Sequence, residues 1–167
     1  NLRTIVLFTW EHILGFLRKA GTIILLVSVI VWLLATLPSG DIETSYLASI
    51  GHILSPIGSL MGLSWKALVA LLASFVAKEN SLATLGVLYG AGEDASALLE
   101  VLSANFTAAS GLAFLVAEML FIPCVSTVAV VKQETNSWKW TLLNVGFLTL
   151  LTIVGGAIAY HLALAVL

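Results

Sequence analysis

Long apolar stretches separated by short polar loops run along most of the chain, and they predict a bundle of membrane-length helices. From Leu2 to Arg18, apolar and polar residues recur at a near-helical spacing, which predicts an amphipathic helix lying in the membrane interface. Four later stretches are mostly apolar and long enough to cross a bilayer as helices. These predicted spans lie at about 20–37, 67–89, 106–131 and 140–166.

One further apolar stretch, residues 50–65, is shorter and contains helix-breaking residues. Pro56 lies inside it, together with Gly51, Gly58 and Gly62. Such a segment is either a tilted, poorly wound span or a re-entrant hairpin, and a hairpin is tolerated only where protein or a water-filled cavity covers its backbone. The pattern leaves both alternatives open.

Basic residues predict which loops face the cytoplasm, where they are enriched. They gather before the first span and between the last two: Arg3, Arg18 and Lys19, then Lys132 and Lys139. The loops at 38–49 and 91–103 carry none. If residues 50–65 cross, Lys66 also lies inside and the C-terminus lies outside. Every loop then obeys this rule. If the segment is re-entrant, the later loops invert, so the distribution of basic residues favours crossing.

The predicted span 67–89 has charges at its centre, in the run Lys78-Glu79-Asn80. A charge near the bilayer centre costs roughly 2.5 to 3.5 kcal/mol even on the lenient insertion scale, so such residues usually face a substrate path or each other. Glu79 is either a cation ligand, with oxygen donors following in Asn80 and Ser81, or an ion-pair partner. Lys78 either neutralises Glu79 in the absence of substrate or extends its ammonium towards the membrane surface.

A second interruption, Pro123-Cys124, lies inside the predicted span 106–131. Proline has no amide hydrogen, so Pro123 leaves the Met119 carbonyl without its helical donor. That carbonyl and the Cys124 thiol together resemble a cation site, although a buried cysteine beside a kink often only fills space. Glu118, just before the break, is either a hydrogen-bond partner within the bundle or part of a pathway.

Composition supports a membrane protein. Apolar residues make up 60% and charged residues 10% of the chain, with a mean hydropathy of +1.09, whereas soluble domains have about 45–50% and about 25%. A net charge of -2 gives no indication of nucleic acid as a partner, and a single cysteine excludes an internal disulfide. We therefore expect an all-α fold, a polytopic transmembrane helical bundle with interrupted or re-entrant helices. Residues 1–167 are expected to be one permease fragment of a longer polypeptide.

Motifs typical of enzymes are missing from the sequence. It has no Gly-x-x-x-x-Gly-Lys-Ser/Thr phosphate loop, no His-Glu-x-x-His and no pair of Cys-x-x-Cys motifs. We expect that the chain is not itself an enzyme and that any nucleotide site lies in another part of the protein.

Three segments resemble the family of FeoB-type ferrous iron transporters. They are Phe16-Leu-Arg-Lys-Ala-Gly-Thr-Ile-Ile24, Phe75-Val-Ala-Lys-Glu-Asn-Ser-Leu-Ala-Thr-Leu-Gly-Val-Leu-Tyr89, and Pro123-Cys-Val-Ser-Thr127 followed by Lys132-Gln-Glu134. The segments occur in family order and cover most of the chain. The resemblance implies the C-terminal half of the family's membrane domain, including the second of its two Gate modules.

The resemblance also implies roles for single residues. Cys124 matches the Gate cysteine proposed to handle Fe(II), Glu79 falls in the family's Lys/Arg-Glu element, and Glu134 matches an acidic residue just after the cysteine-bearing helix. The predicted metal residues are therefore Glu79 and Cys124, with Asn80, Glu118 and Glu134 as weaker candidates. Fe(II) is expected as the transported substrate, with GTP on a separate cytoplasmic domain and no cofactor in this chain.

The sequence thus predicts Fe(II) transport across the bacterial inner membrane by the multi-pass permease part of a GTPase-linked transporter. Its expected partners are membrane lipid, the GTPase domain and the first half of the membrane domain, and a homo-oligomer is left open. Related Gate modules also occur in nucleoside-recognising membrane proteins, so the nearest alternative is a carrier for nucleosides or other small solutes. A non-transporting membrane scaffold is the alternative from another class.

Overall fold

The structure, a computed structural model, describes residues 2–38, 40, 42–76, 78, 80–92, 94–121 and 124–166; at residues 2–5, 12, 16–20, 23, 24, 27, 28, 31 and 126 it describes the backbone only. Every regular element in these ranges is a helix, which confirms the predicted all-α class. The elements are α1 (Leu2–Thr36), a 3-10 helix (Ile42–Thr44), α2 (Tyr46–Leu60), α3 (Trp65–Ala73), α4 (Asn80–Leu88), α5 (Ala95–Asn105), α6 (Ala108–Leu120), α7 (Val125–Thr135) and α8 (Trp138–Val166).

A single helix, α1, covers both the predicted interfacial segment 2–18 and the predicted span 20–37. Its 35 residues correspond to roughly 52 Å of helix, which exceeds the hydrocarbon thickness of about 30 Å. The sequence of α1 has no proline, so its backbone hydrogen bonding is not interrupted. The helix ends shortly before Pro38, because the residue preceding a proline disfavours the helical conformation.

Length and composition identify α8 as a helix that can cross a membrane by itself, within the part of the chain that the structure describes. Two bent pairs pass the same test when each pair is taken as one unit: α2 with α3, bent by 103°, and α5 with α6, bent by 115°. Each pair is either a broken span or a re-entrant loop, and packing contacts show which alternative fits.

Helices α2 and α3 begin at the same edge of the molecule. Gly51, near the start of α2, leaves room for Trp65, since a Cβ at this glycine would lie 2.9 Å from the indole ring. The Lys66 ammonium lies 2.8 Å from a carboxylate oxygen of Glu43. Because Glu43 precedes residues 50–65 and Lys66 follows them, the two flanks of this segment meet. This geometry favours re-entry over crossing.

Helices α3 and α4 form a hairpin, since the start of α3 and the end of α4 are in contact. The hydroxyls of Ser64, which caps α3, and Tyr89, which follows α4, are 3.2 Å apart. The Lys66 ammonium lies 5.2 Å from the centre of the Tyr89 ring. A straight helix over 67–89 would separate its ends by roughly 33 Å. The structure therefore differs from the predicted single span, and Lys78, from the charged centre of that span, lies between the two helices of a hairpin.

Helices α6 and α7 follow one another along α8. Gly156 in α8 packs against Ala117 of α6, where an added Cβ would lie 3.5 Å from the alanine Cβ. At the other end, the Lys132 ammonium of α7 lies 5.4 Å from the Trp138 ring at the start of α8. The interruption between α6 and α7 is level with the middle of α8, because Phe121 and Thr152 line one cavity of about 100 Å³.

The predicted loop 91–103 contains a helix, α5, at the edge where α4 ends. Asp94 caps α5, accepting hydrogen bonds from the hydroxyl and the amide of Ser96 and from the amide of Ala97. These hydrogen bonds hold the pKa of the Asp94 carboxyl below its usual range. At the other end of α5, Phe106 stacks near Tyr89, with ring centres 6.5 Å apart. Both ends of α5 therefore lie near the C-terminal end of α4, so α5 lies across this edge.

Candidate functional site

Two interruptions meet near the middle of α8: the tip of the α3/α4 hairpin, described at residues 74–76 and 78, and the break between α6 and α7, described at residues 121 and 124. We call this region the paired breaks. The Val125 amide, at the start of α7, donates a hydrogen bond of 2.9 Å to the Phe75 carbonyl at the hairpin tip. Backbone hydrogen-bonding groups that an unbroken helix would pair within itself are thus paired between the two breaks.

The Lys78 ammonium binds the C-terminal end of α6. It donates to the Glu118 carbonyl at 2.9 Å and to the Met119 carbonyl at 3.4 Å. The Met119 carbonyl is the one that the sequence predicts to be left without a donor by Pro123, and Lys78 replaces the missing amide. A cation at a helix C-terminus is also favoured by the helix dipole, by about 0.3–1 kcal/mol at an exposed site and up to about 2 kcal/mol when partly buried. Lys78 therefore links the hairpin tip to the broken helix.

The Glu118 carboxylate belongs to the last turn of α6, next to the paired breaks. Both of its oxygens are buried, and among the described residues neither has a hydrogen-bond partner. The hydroxyls of Ser74 and Ser81 lie beside it, but each donates to a carbonyl on its own side of the hairpin, Leu71 at 2.7 Å and Lys78 at 2.9 Å. A buried carboxylate without partners is costly unless a cation or a proton accompanies it. The geometry therefore makes Glu118 a candidate cation ligand.

Cys124 lies immediately before α7, in the position that caps the helix. It is half-buried, and its sulfur lies 3.5 Å from the Thr127 hydroxyl one turn further on. A helix N-terminus favours negatively charged groups through its unpaired amides and its dipole. The thiol lies at the break that follows Glu118, and a sulfur ligand that carries negative charge would be favoured at this helix end.

The other predicted metal residues are placed differently. Glu79 and Pro123 lie outside the described residues. Asn80 is the first residue of α4, is half-buried, and lines a cavity of about 190 Å³ together with α1 and α2 residues. Glu134 is exposed near the end of α7, about 15 Å along the helix from Cys124. It does not join Cys124 in one site.

Among the described residues, no three histidine, cysteine, aspartate or glutamate side chains converge on one point. The paired breaks instead bring together one carboxylate, one thiol, two hydroxyls and two backbone carbonyls. Sequence reasoning missed the role of Lys78 on these carbonyls and the positions of Ser74 and Ser81 beside Glu118. The available signal was the carbonyl freed by Pro123, which requires a donor from elsewhere in the fold.

Comparison with protein families shows the class to which this fold and site belong. The family model Gate, described as nucleoside recognition, matches residues 17–138. The chain belongs to this family. No solved structure matches it.

The most similar relatives include ferrous iron transporters. The chain is 38% identical to the Fe(2+) transporter FeoB of Methanocaldococcus jannaschii over 166 residues, covering 92% of the chain and 24% of the relative. It is 38% identical to the protein of the same name from Staphylococcus aureus, strain COL, covering 88% and 23%, and 32% identical to that of Leptospira biflexa, covering 97% and 26%. The resemblance to FeoB-type transporters is confirmed, and the chain spans about a quarter of the length of these relatives.

Proposed function

We propose that this chain is the permease segment of a transporter that moves Fe(II) across the cytoplasmic membrane, which is the inner membrane in many bacteria. The observation that carries the proposal is the meeting of two interrupted helices at mid-height of α8, with a buried carboxylate and a cysteine at the same break. The relatives named for Fe(2+) transport support Fe(II) as the cargo.

The donor groups at the paired breaks suit this ion. Fe(II) accepts carboxylate, carbonyl and thiolate ligands together, so Glu79 and Cys124 serve as the principal ligands. Glu118 adds a third donor beside Ser74 and Ser81, and Asn80 is the first residue of α4. Glu134 lies nearer the basic end of α7 and serves the path rather than this site.

Coupling to GTP belongs to another part of the parent protein. We propose that the chain works with an N-terminal GTPase domain and with the first half of the same membrane domain, since the relatives are about four times as long as the matched segment. The chain itself binds Fe(II) as substrate and requires no cofactor of its own for this role.

Nucleoside transport is the second candidate, because the matching family is described as nucleoside recognition. In that case the polar hairpin tip would bind hydroxyls or a base, and a metal ion would not be needed. The sulfur of Cys124 argues for the metal, since a thiol is a weak hydrogen-bonding group for a nucleoside.

The test is uptake by proteoliposomes containing the full-length transporter to which this chain belongs. Vesicles loaded with an Fe(II) chelator are given GTP and either Fe(II) under reducing conditions or a radiolabelled nucleoside. We expect Fe(II) to accumulate and the nucleoside to equilibrate no faster than in empty vesicles. Nucleoside uptake without Fe(II) uptake would replace the proposal with the second candidate. Uptake of neither substrate would indicate a non-transporting scaffold.

A further inference from the structure

The Lys78 ammonium occupies a position that a metal ion could also occupy. It contacts two backbone carbonyl oxygens at the negative end of the α6 dipole, those of Glu118 and Met119. The Lys78 side chain is itself exposed. The position is therefore reached from outside the packed interior of this chain.

The charge around this ammonium is not balanced by direct contacts. Among the described residues Lys78 donates to the backbone carbonyl of Glu118 and not to its carboxylate, and both carboxylate oxygens lack partners. The neighbouring hydroxyls of Ser74 and Ser81 can rotate, because a hydroxyl has two acceptor lone pairs and one movable proton. A carboxylate, two carbonyls and two hydroxyls thus lie near the Lys78 ammonium, which is the one basic side chain that the described residues place against these carbonyls.

We propose that these five groups form an oxygen-lined subsite for a divalent cation, and that Lys78 is an internal cation which occupies the subsite until the metal ion displaces it. The inference rests on the proposed function, because the displacing ion is the transported one. All the donors are oxygen atoms, and such sets suit hard divalent ions such as Mn(II) and also accept Fe(II). The subsite therefore differs chemically from the sulfur ligand at Cys124.

Competition with an ammonium explains how this subsite favours divalent over monovalent cations. A monovalent ion brings no more charge than the ammonium it would displace, whereas a divalent ion brings one charge more to the same carboxylate and carbonyls. Lys78 thus acts as a positioning residue in the empty state and as a competitor of the cargo. Loss of its charge should tighten metal binding and impair release.

The experiment measures Mn(II) binding to the purified full-length transporter by the loss of the electron paramagnetic resonance signal of free Mn(II). The Lys78→Gln variant keeps a donor for the carbonyls but removes the charge, and it should bind Mn(II) at least about tenfold more tightly than the wild type. Lys66→Met is the matched control, since it removes an ammonium that is paired with Glu43 at the edge of the fold. Its Mn(II) affinity should be unchanged.

A second pair of variants separates competition from structural damage. Lys78→Arg keeps the charge and should keep the wild-type affinity, and Glu118→Gln combined with Lys78→Gln should abolish the tightening. A folded Lys78→Gln variant with unchanged or weaker Mn(II) binding would overturn the inference; if that variant fails to fold, equally weak binding by folded Lys78→Met would do the same. Absence of Fe(II) uptake by the wild type would refute the proposed function and leave this binding comparison intact.

Discussion

Charge at position 79 gives a direct residue-scale test of the proposed ion path. Glu79→Gln removes the carboxylate and keeps the size of the side chain, and an amide is less costly to bury than an anion. We expect the variant to reach the membrane at normal levels and to lose Fe(II) uptake at least about tenfold, the lower end of what even outer-shell changes cost at metal sites. Uptake of Fe(II) into proteoliposomes, normalised to the amount of folded protein, measures this.

The control for Glu79→Gln is Glu134→Gln, which changes an exposed carboxylate about 15 Å along α7 from Cys124. Its uptake should fall much less. Normal Fe(II) uptake by Glu79→Gln at ordinary expression would remove this residue from the candidate ligands.

Cys124 is tested by two substitutions that separate chemistry from packing. Cys124→Ala keeps approximate volume and removes the ligand, while Cys124→Ser offers a hydroxyl that stays protonated. If sulfur binds the ion, both variants should lose Fe(II) uptake by about tenfold or more. Mn(II), which prefers oxygen ligands, should suffer less than Fe(II) in the serine variant. Competition between Fe(II) and Mn(II) is the measurement, and near-normal Fe(II) uptake by Cys124→Ala would identify the cysteine as a packing residue.

The local chemistry of a single residue could be predicted from the sequence where the covalent structure of the backbone allows only one result. Proline lacks an amide hydrogen, so the free carbonyl at Met119 follows from the sequence alone. The donor that fills it does not, because Lys78 is far from Met119 along the chain and only the fold brings them together. The same holds for Glu118, whose burial beside Ser74 depends on the hairpin tip reaching α6.

At the scale of helices, the apolar character of residues 67–89 is compatible with both a span and a hairpin. Each half of the hairpin is a short apolar helix, and Lys78 lies between the two helices. Hydropathy measures the preference of side chains for lipid and carries no information on the direction of the chain. Contacts between the two ends, such as Ser64 with Tyr89, are needed to distinguish the two.

The hairpin predicts the side of the membrane at which α3 begins. Ser64 is exposed and in contact with Tyr89, so a cysteine at Ser64 should react with a membrane-impermeant maleimide added from outside. If residues 50–65 crossed instead, Ser64 would be inside with Lys66. The measurement is labelling of intact cells, compared with cells permeabilised by detergent. Labelling of Ser64→Cys only after permeabilisation would show that the segment crosses.

For the whole molecule, re-entry of both segments has a simple topological consequence. If one segment re-enters instead of crossing, every later loop changes side. If two successive segments, 46–60 and 65–88, both re-enter, the later loops lie on the same sides as if both had crossed. The basic loops then keep the sides that their charge predicts, and only Lys66 changes side, where its pairing with Glu43 removes the conflict. The distribution of basic residues alone could not reveal this, because the later basic loops lie on the same side of the membrane whether neither segment re-enters or both do.

The last prediction tests this arrangement with three cysteines placed between the membrane segments of the full-length transporter. Thr44, the last residue of the 3-10 helix, and Ala95, the first residue of α5, are exposed at the hairpin edge. Ser137 lies between α7 and α8 at the opposite, basic end. Cysteines at Thr44 and Ala95 should react with the impermeant reagent only from outside, and a cysteine at Ser137 only from inside. Opposite accessibility of Thr44 and Ala95 would mean that an odd number of segments re-enters, and it would require α6 and α7 to run in the reverse direction across the membrane.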